Sequence, residues 1–126
     1  MSRLLMTVSK FDRNGIMVLP FPPSGLSGHA NGNRWGKSKL TKQWRTWAFH
    51  AALEAKLKAP QWGDIHIEVV FYPPNRRGDR TNFGNRCKPI FDGIADAWVV
   101  NDARFVPHYV YREPEAPGRV EIRILP

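Results

Sequence analysis

Carboxylates set among basic residues make residues 75–102 the segment of the chain best suited to chemistry. Its first part is a basic loop, and its second part has the pattern of a short helix beginning near Lys88. Phosphodiester hydrolysis needs a metal that neutralises phosphoryl oxygens and activates water, and Mg²⁺ takes one or two carboxylates plus waters. A nearby lysine stabilises the transition-state charge. The candidate metal ligands are Asp79, Asp92 and Asp102, and the candidate catalytic residues are Asp79, Asp102 and Lys88.

Each carboxylate of this segment also has a purely structural interpretation. Asp79 is surrounded by arginines, so it would serve equally as an ion-pair partner or a turn cap. Asp102 would be a turn residue, Asp92 would brace the helix, and Asp96 would be solvated. Because Lys88, Asp92 and Asp96 are spaced four residues apart, we expect them on one side of the helix.

An excess of basic residues predicts a polyanionic partner. The chain has 126 residues and a net charge of +8. That balance favours DNA or RNA, although it also serves plain solubility. Arginine and lysine bind phosphates, and Trp35 is left open between core packing and stacking on bases, whereas Trp44 and Trp47 are interpreted as core. The predicted DNA-contacting residues are Arg34, Lys37, Lys39, Arg76, Arg77, Arg80, Asn82, Asn85 and Arg86.

Other site chemistries find less support in the sequence. The single cysteine, Cys87, excludes an internal disulfide, fits a reducing cytosol and has no histidine near it in sequence. No apolar run approaches the ~20 residues of a membrane span, and the N-terminus lacks a signal-peptide core, so we expect a cytoplasmic protein. The histidines, which are dispersed without the spacing of a zinc site, are His29, His50, His66 and His108.

Hydrophobic periodicity predicts the elements that hold the candidate residues within one domain spanning residues 1–126. Alternation over Asp64–Tyr72 is the clearest strand, and an apolar stripe over Leu40–Leu57 predicts a helix. Ser24–Lys39, rich in Gly, Asn and Ser, is interpreted as a loop. The other predicted elements are a strand at Ile16–Leu19, a helix beginning near Asn85–Pro89, and a hairpin of strands Phe105–Tyr111 and Val120–Ile124. This order predicts an α+β, two-layer domain with a small mixed sheet and two helices.

Several short segments, in a specific order and spacing, carry a family resemblance. They are a strand and Pro-Pro-Ser loop at Leu19–Ser24, an acidic motif at Asp79–Asn82, a helix at Lys88–Ile94, a second acidic motif at Asn101–Ala103 and a closing strand at Gly118–Ile124. In these features the chain resembles the RusA-like Holliday-junction resolvases, small homodimeric nucleases of bacteria and their phages. The matching segments extend over nearly the whole chain, and their order is more specific than any one motif.

The acidic motif departs from the family pattern. That pattern is Asp-x-Asp-Asn, followed three residues later by Lys and four later by Asp. One register keeps the Asn–Lys–Asp spacing at residues 85, 88 and 92, and its acidic positions then fall on Asn82 and Gly84. The second register, which we prefer, places Asp79 and Thr81 at the acidic positions and inserts three residues before the helix. Thr is a poor metal ligand, so either the metal affinity is lower or another acid such as Asp92 compensates.

The resemblance implies a Mg²⁺- or Mn²⁺-dependent endodeoxyribonuclease acting in DNA recombination and repair. It would nick two opposing strands of a four-way DNA junction, as a homodimer, in the cytoplasm of a bacterial or phage-infected cell. Asp79 and Asp102 would hold the metal, Lys88 would contact the phosphate or the transition state, and the arginines would bind DNA.

Two other functions fit the same composition. A protein of this fold that holds branched DNA without cutting it is favoured by the missing second acid. An RNA-binding or ribosome-associated basic protein is favoured by the charge alone. A junction-cleavage assay in Mg²⁺ distinguishes the non-cleaving protein from a nuclease, because the former binds the junction and leaves it uncut. Competition between the junction and linear duplex or structured RNA tests the RNA-binding alternative, because equal affinity would favour it.

Overall fold

In the computed structural model, which describes residues 15–27 and 34–126, two helices pack on one face of a mixed sheet. Short 3₁₀ helices occur at Ser24–Leu26, Arg80–Arg86 and Asp102–Arg104. The described α-helices and strands are β1 (Ile16–Pro20), α1 (Arg34–Glu54), β2 (Ile65–Tyr72), α2 (Lys88–Trp98), β3 (Phe105–Tyr111) and β4 (Arg119–Ile124). This architecture confirms the predicted α+β class with a small mixed sheet and two helices. No helix in the described ranges is long and apolar enough to cross a membrane.

The four described strands are ordered β1-β4-β2-β3 across the sheet. Strand β4 is antiparallel to both β1 and β2, and β3 is parallel to β2 at the sheet edge. The predicted hairpin of β3 and β4 is therefore wrong, since β2 separates them. Alternation of apolar residues identifies a strand and its buried face but does not identify its partner. A parallel pair needs a crossover, which α2 supplies between β2 and β3.

The two faces of the sheet differ in what covers them. Ile65, Ile67, Val69 and Phe71 of β2 are fully buried beneath the helices. The alternate residues of β2 point to the opposite face, where Val18 of β1 is 51% exposed. Burial at every second residue is what one helical layer on a sheet requires. We call this opposite face the open face of the sheet.

Helix α1 is longer at its start than the sequence predicted. It begins at Arg34 rather than Leu40 and ends at Glu54, so the predicted loop at Ser24–Lys39 is wrong for its last six residues. Glycine and serine cost a helix about 1 kcal/mol or less each, which packing of the same helix outweighs. Trp44 is buried as predicted, whereas Trp47 is 42% exposed, contrary to its core assignment.

A glycine brings the two helices into backbone contact. A Cβ atom at Gly93 of α2 would lie 2.3 Å from the carbonyl oxygen of Arg45 and 2.7 Å from the Cβ of Ala48, both in α1. Only glycine allows an approach this close without displacing a helix. The contact places the side chain of Arg45 beside the acidic side of α2.

Candidate functional site

A lysine bridges two carboxylates that come from different elements. Lys88 opens α2, and its Nζ lies 3.0 Å from Oδ1 of Asp92, one helical turn later. The same ammonium contacts Asp102, the first residue of the third 3₁₀ helix. Val99 ends α2 in the left-handed conformation, and the Asn101 side chain accepts a hydrogen bond from the N–H of Ala103. These two caps fix the turn that carries Asp102 toward Lys88.

The bridge shifts the titration of its members in opposite directions. The Lys88 ammonium holds the pKa of Asp102 below its usual range, and a hydrogen bond with Asp92 lowers it further. The two carboxylates in turn raise the pKa of Lys88, with Asp102 contributing more than Asp92. Asp102 and Lys88 are therefore both charged at neutral pH.

Arg45 of α1 joins the same group through Asp96. Its Nε and Nη2 donate to the two carboxylate oxygens of Asp96 at 2.7 and 2.9 Å, which is bidentate pairing. This contact raises the pKa of Arg45, and the charges of Asp92 and Asp102 raise it further. We call these five residues, Lys88, Asp92, Asp96, Asp102 and Arg45, the acidic cluster. Three carboxylates and two cations leave it with a formal charge of −1.

Asp79 lies outside these contacts. Its side chain caps the 3₁₀ helix at Arg80–Arg86, accepting hydrogen bonds from the N–H of Thr81 at 3.0 Å and from its Oγ1 at 2.8 Å. These bonds lower the pKa of Asp79, the hydroxyl contributing more than the N–H. Within residues 15–27 and 34–126, no three or more His, Cys, Asp or Glu side chains lie together as a metal-holding group. The predicted set of Asp79, Asp92 and Asp102 is thus not assembled, and two of its three members meet at Lys88.

The other motif register has no carboxylate at its acidic positions, which are Asn82 and Gly84. A Cβ atom at Gly84 would lie 3.0 Å from Cζ and 3.2 Å from the hydroxyl of Tyr109 on β3. Burial raises the pKa of Tyr109 to about 12, so the phenol is neutral beside this position. A side chain at position 84 would therefore require the Tyr109 ring to shift.

A basic pocket lies between the Pro-Pro-Ser loop and the basic loop. It has a volume of about 320 Å³, and Arg77, Arg86 and Ser24 contribute to its lining. The Arg86 guanidinium lies 5.8 Å from the ring centre of Phe21 and 5.2 Å from that of Phe83. Its Nη1 donates to the carbonyl oxygen of Pro22 at 3.1 Å.

One donor of this pocket is left without a partner. The Nε of Arg86 is buried and makes no hydrogen bond within the described part of the chain. Burial lowers the pKa of this guanidinium but leaves it charged. A buried, unpaired N–H is costly. The guanidinium groups of Arg77 and Arg86 in its lining suit the pocket to a phosphate group.

The remaining predicted DNA-contacting residues occupy two surfaces. Arg76 is exposed and pairs with Glu113 at 2.6 Å. Lys37 and Lys39 lie on the first turns of α1, and Arg34 begins that helix, although its side chain lies outside the described residues, as does that of Trp35. The exposed members of the second basic segment are Arg77, Arg80, Asn82 and Asn85.

Sequence reasoning assigned neither Arg45 nor Asp96 to the site. The spacing of Lys88, Asp92 and Asp96 did place those three on one side of the helix, and this prediction is confirmed. Nothing in the spacing connects Arg45, 51 residues before Asp96, to that side. Cys87 is fully buried and its pKa is raised to about 12, so it is no nucleophile, as expected.

Comparison with known proteins identifies one relative over most of the chain. No family model matches the chain. An uncharacterized protein of Xylella fastidiosa (strain Temecula1 / ATCC 700964) is 38% identical over 113 residues, which cover 86% of this chain and 74% of that protein. The name of that protein states no activity, so a functional proposal depends on the residues described above.

Proposed function

The chain belongs to the same family as the Xylella fastidiosa protein, and from its residues we propose that it is a metal-dependent endodeoxyribonuclease. Its substrate would be a four-way DNA junction, which it resolves by paired nicks. The observation that carries the proposal is the acidic cluster, in which carboxylates from α2 and from the turn before β3 meet at one lysine. The basic pocket and the resemblance to RusA-like resolvases support it.

The acidic cluster fits a hard divalent cation through two of its carboxylates. Mg²⁺ or Mn²⁺ takes one or two carboxylates plus waters, and Asp92 and Asp102, which Lys88 bridges, would supply that donor set. When bound, the ion neutralises phosphoryl oxygens and lowers the pKa of a bound water. Asp79 would stay outside this metal site, because its side chain caps the 3₁₀ helix at Arg80–Arg86 instead of joining the acidic cluster.

The remaining residues of the cluster would position the substrate phosphate and balance the charge of the carboxylates. Lys88 is 67% exposed in its side chain, so its ammonium can turn from the carboxylates toward a phosphate without leaving a buried charge unpaired. Arg45 holds Asp96 in a bidentate pair and keeps a positive charge beside Asp92 and Asp102. Carboxylates and a phosphodiester therefore share one site without uncompensated repulsion.

The basic pocket would hold a phosphate that flanks the cleaved bond. Arg86 and Arg77 are its donors, and Lys37 and Lys39 on α1 would contact backbone elsewhere. We also propose a homodimer, because a two-fold symmetric junction presents two equivalent cleavage points. Light scattering of the purified protein at micromolar concentration tests this, and a mass of one chain would contradict it.

Replacing Asp102 by Asn tests the nuclease directly. We expect junction cleavage in Mg²⁺ to fall on the order of a hundredfold or more, because even neighbours of metal ligands cost 10–100-fold. Junction binding should persist or tighten, because one negative charge is lost from the site. Cleavage is measured on a labelled four-way junction, and binding by electrophoretic mobility in EDTA.

Asp64→Asn is the matched control, since Asp64 is exposed and has no contact with the acidic cluster among the described residues. It should cleave as the wild type does. EDTA should abolish cleavage by the wild type while leaving the mobility shift intact. Wild-type cleavage by Asp102→Asn would refute the assignment of the site.

The structure also favours a second candidate, a protein that binds branched DNA without cutting it. Asp79 does not join the cluster, Tyr109 fills the space beside Gly84, and Lys88 already neutralises the two remaining carboxylates. A shift of junction mobility without cleavage, in either Mg²⁺ or Mn²⁺, would establish this function in place of the nuclease.

A further inference from the structure

Two histidines far apart in sequence meet on the open face of the sheet. His66 of β2 and His108 of β3 are both exposed, and Nδ1 of His66 lies 2.9 Å from Nε2 of His108. Their ring centres are 5.1 Å apart at an interplanar angle of 40°. We propose that this pair binds a late divalent transition metal, Cu²⁺ or Ni²⁺ in preference to Zn²⁺, through the two facing nitrogens. The site is independent of the acidic cluster and of the proposed nuclease activity.

The parallel pairing of β2 and β3 creates the pair. His66 is opposite Val106 and Glu68 is opposite His108, so the two histidines are diagonal neighbours on one face. The strands of a sheet lie about 4.8 Å apart, which brings two imidazoles within reach of one ion. The sequence separation of 42 residues hides this arrangement.

The number and type of the ligands indicate the class of metal. Nitrogens 2.9 Å apart in exposed rings need only small rotations to direct both lone pairs at one ion, at metal–imidazole bonds of about 2.05 Å. Zinc sites in proteins take three or four protein ligands, whereas the pair supplies two. Two imidazoles completed by water suit tetragonal Cu²⁺ and Ni²⁺, and a nitrogen site binds Cu²⁺ more tightly than Zn²⁺.

Two neutral imidazole rings can bind the ion without releasing a proton to solvent. In the hydrogen-bonded pair one facing nitrogen carries N–H and the other offers its lone pair. On binding, the donor ring changes tautomer, so that its proton moves to the nitrogen that faces away. Both lone pairs then point to the ion.

Water would complete the coordination. The nearest carboxylate on this face is Glu68, and Arg123 holds it at 2.8 Å. The two imidazoles are therefore counted as the protein ligands. Since both rings are exposed, the ion has direct access from solvent.

Calorimetric titration of the full chain, without a polyhistidine tag and without DNA, tests the proposal with NiCl₂ and CuCl₂. We expect one ion per chain to depend on the histidine pair, with its affinity reduced at least tenfold by His66→Ala and by His108→Ala. The double variant should lose little more than either single one, because the two rings act on one ion. His50→Ala on α1, also an exposed histidine, is the matched control and should bind as the wild type does.

Electron paramagnetic resonance of the Cu²⁺ complex gives a second readout. The wild type should show coupling to two imidazole nitrogens, and each single variant should lose it. Asp102→Asn should retain the coupling to two imidazole nitrogens, which separates this site from the acidic cluster. The proposal fails if the wild type binds neither ion, if either histidine variant binds as tightly as the wild type, or if His50→Ala weakens binding equally.

Discussion

At the residue scale, Lys88 is the side chain on which the acidic cluster depends. Asp92 lies in α2 and Asp102 in the 3₁₀ helix that follows it, and the ammonium of Lys88 contacts both. Without that cation the charge of Asp92 would raise the pKa of Asp102. Lys88 is thus expected to control the protonation of Asp102 as well as the geometry of the pair.

Replacing Lys88 by Met should raise the pKa of Asp102, because the ammonium is the largest cause of its depression. Carboxyl NMR titration measures this shift. Asp96 is an internal control, since Arg45 rather than Lys88 holds its pKa low. Lys58→Met removes an exposed lysine outside the cluster and should change neither value. An unchanged Asp102 titration in Lys88→Met would contradict the described bridge.

The lowered pKa of Asp102 determines the direction in which stability changes with pH. Because the pKa of Asp102 is lower folded than unfolded, the Lys88–Asp102 pair stabilises the fold above the unfolded carboxylate pKa of about 3.9. That contribution is lost as the pH falls through the lower folded value. Lys88→Met should therefore unfold at nearly the wild-type denaturant concentration at low pH and at a lower one near neutrality.

Residue spacing predicted part of the acidic cluster and missed the rest for a definite reason. Four-residue spacing within α2 was enough to group Lys88 with Asp92 and Asp96, because a helix repeats its faces over that interval. Asp79 was grouped with them as a carboxylate among basic residues, as metal-assisted hydrolysis requires, whereas its Oδ1 accepts a hydrogen bond from Thr81 two residues away. Local capping competes with long-range pairing for the same oxygen, and a sequence does not show which contact prevails.

At the element scale, the packing of α1 on α2 positions the cluster. Gly93 lets the backbones touch, and this approach brings Arg45 within 2.7 Å of Asp96. The glycine lies within the Lys88–Ile94 segment that resembles a family motif, so its place there has a packing explanation.

Gly93→Ala should therefore destabilise the protein by about 1–3 kcal/mol, the usual cost of an extra methyl group in a filled core. Urea unfolding followed by circular dichroism measures it. Thr46→Ala, at an exposed position of α1, should change stability by about 0.5 kcal/mol or less. Equal stability of the two variants would show that the helices are not in contact at Gly93.

Element types were largely predictable, and element partners were not. Alternation over residues 64–72 identified β2 to within one residue, because one face of that strand is buried by helices and the other is not. The same alternation identified β3 and β4 but suggested a hairpin, whereas β4 lies between β1 and β2. Strand order follows from the packing of the whole chain, which no local pattern encodes. The histidine pair was missed for the same reason.

At the scale of the whole molecule, the net charge of +8 is divided between unlike surfaces. Arg77 and Arg86 line the basic pocket near Ser24, and the acidic cluster carries a formal charge of −1. The open face of the sheet carries paired charges, such as Arg123 with Glu68. Only a positive surface that contacts DNA phosphates, and so releases the counterions bound to the DNA, contributes to the salt dependence of binding.

Two charge-matched variants test this division. Arg77→Gln should weaken junction binding and reduce the slope of log affinity against log salt concentration by about 1, the effect of losing one phosphate contact. Arg123→Gln removes the same charge from the open face, and it should leave the affinity and the salt slope near their wild-type values because that face is not the basic pocket. This variant should also stay folded, because a surface ion pair contributes about 1 kcal/mol or less to stability. Fluorescence anisotropy of a labelled four-way junction between 50 and 200 mM salt measures both. If the two variants reduce the slope equally, net charge alone accounts for binding, and the basic pocket is not the surface that meets the phosphates.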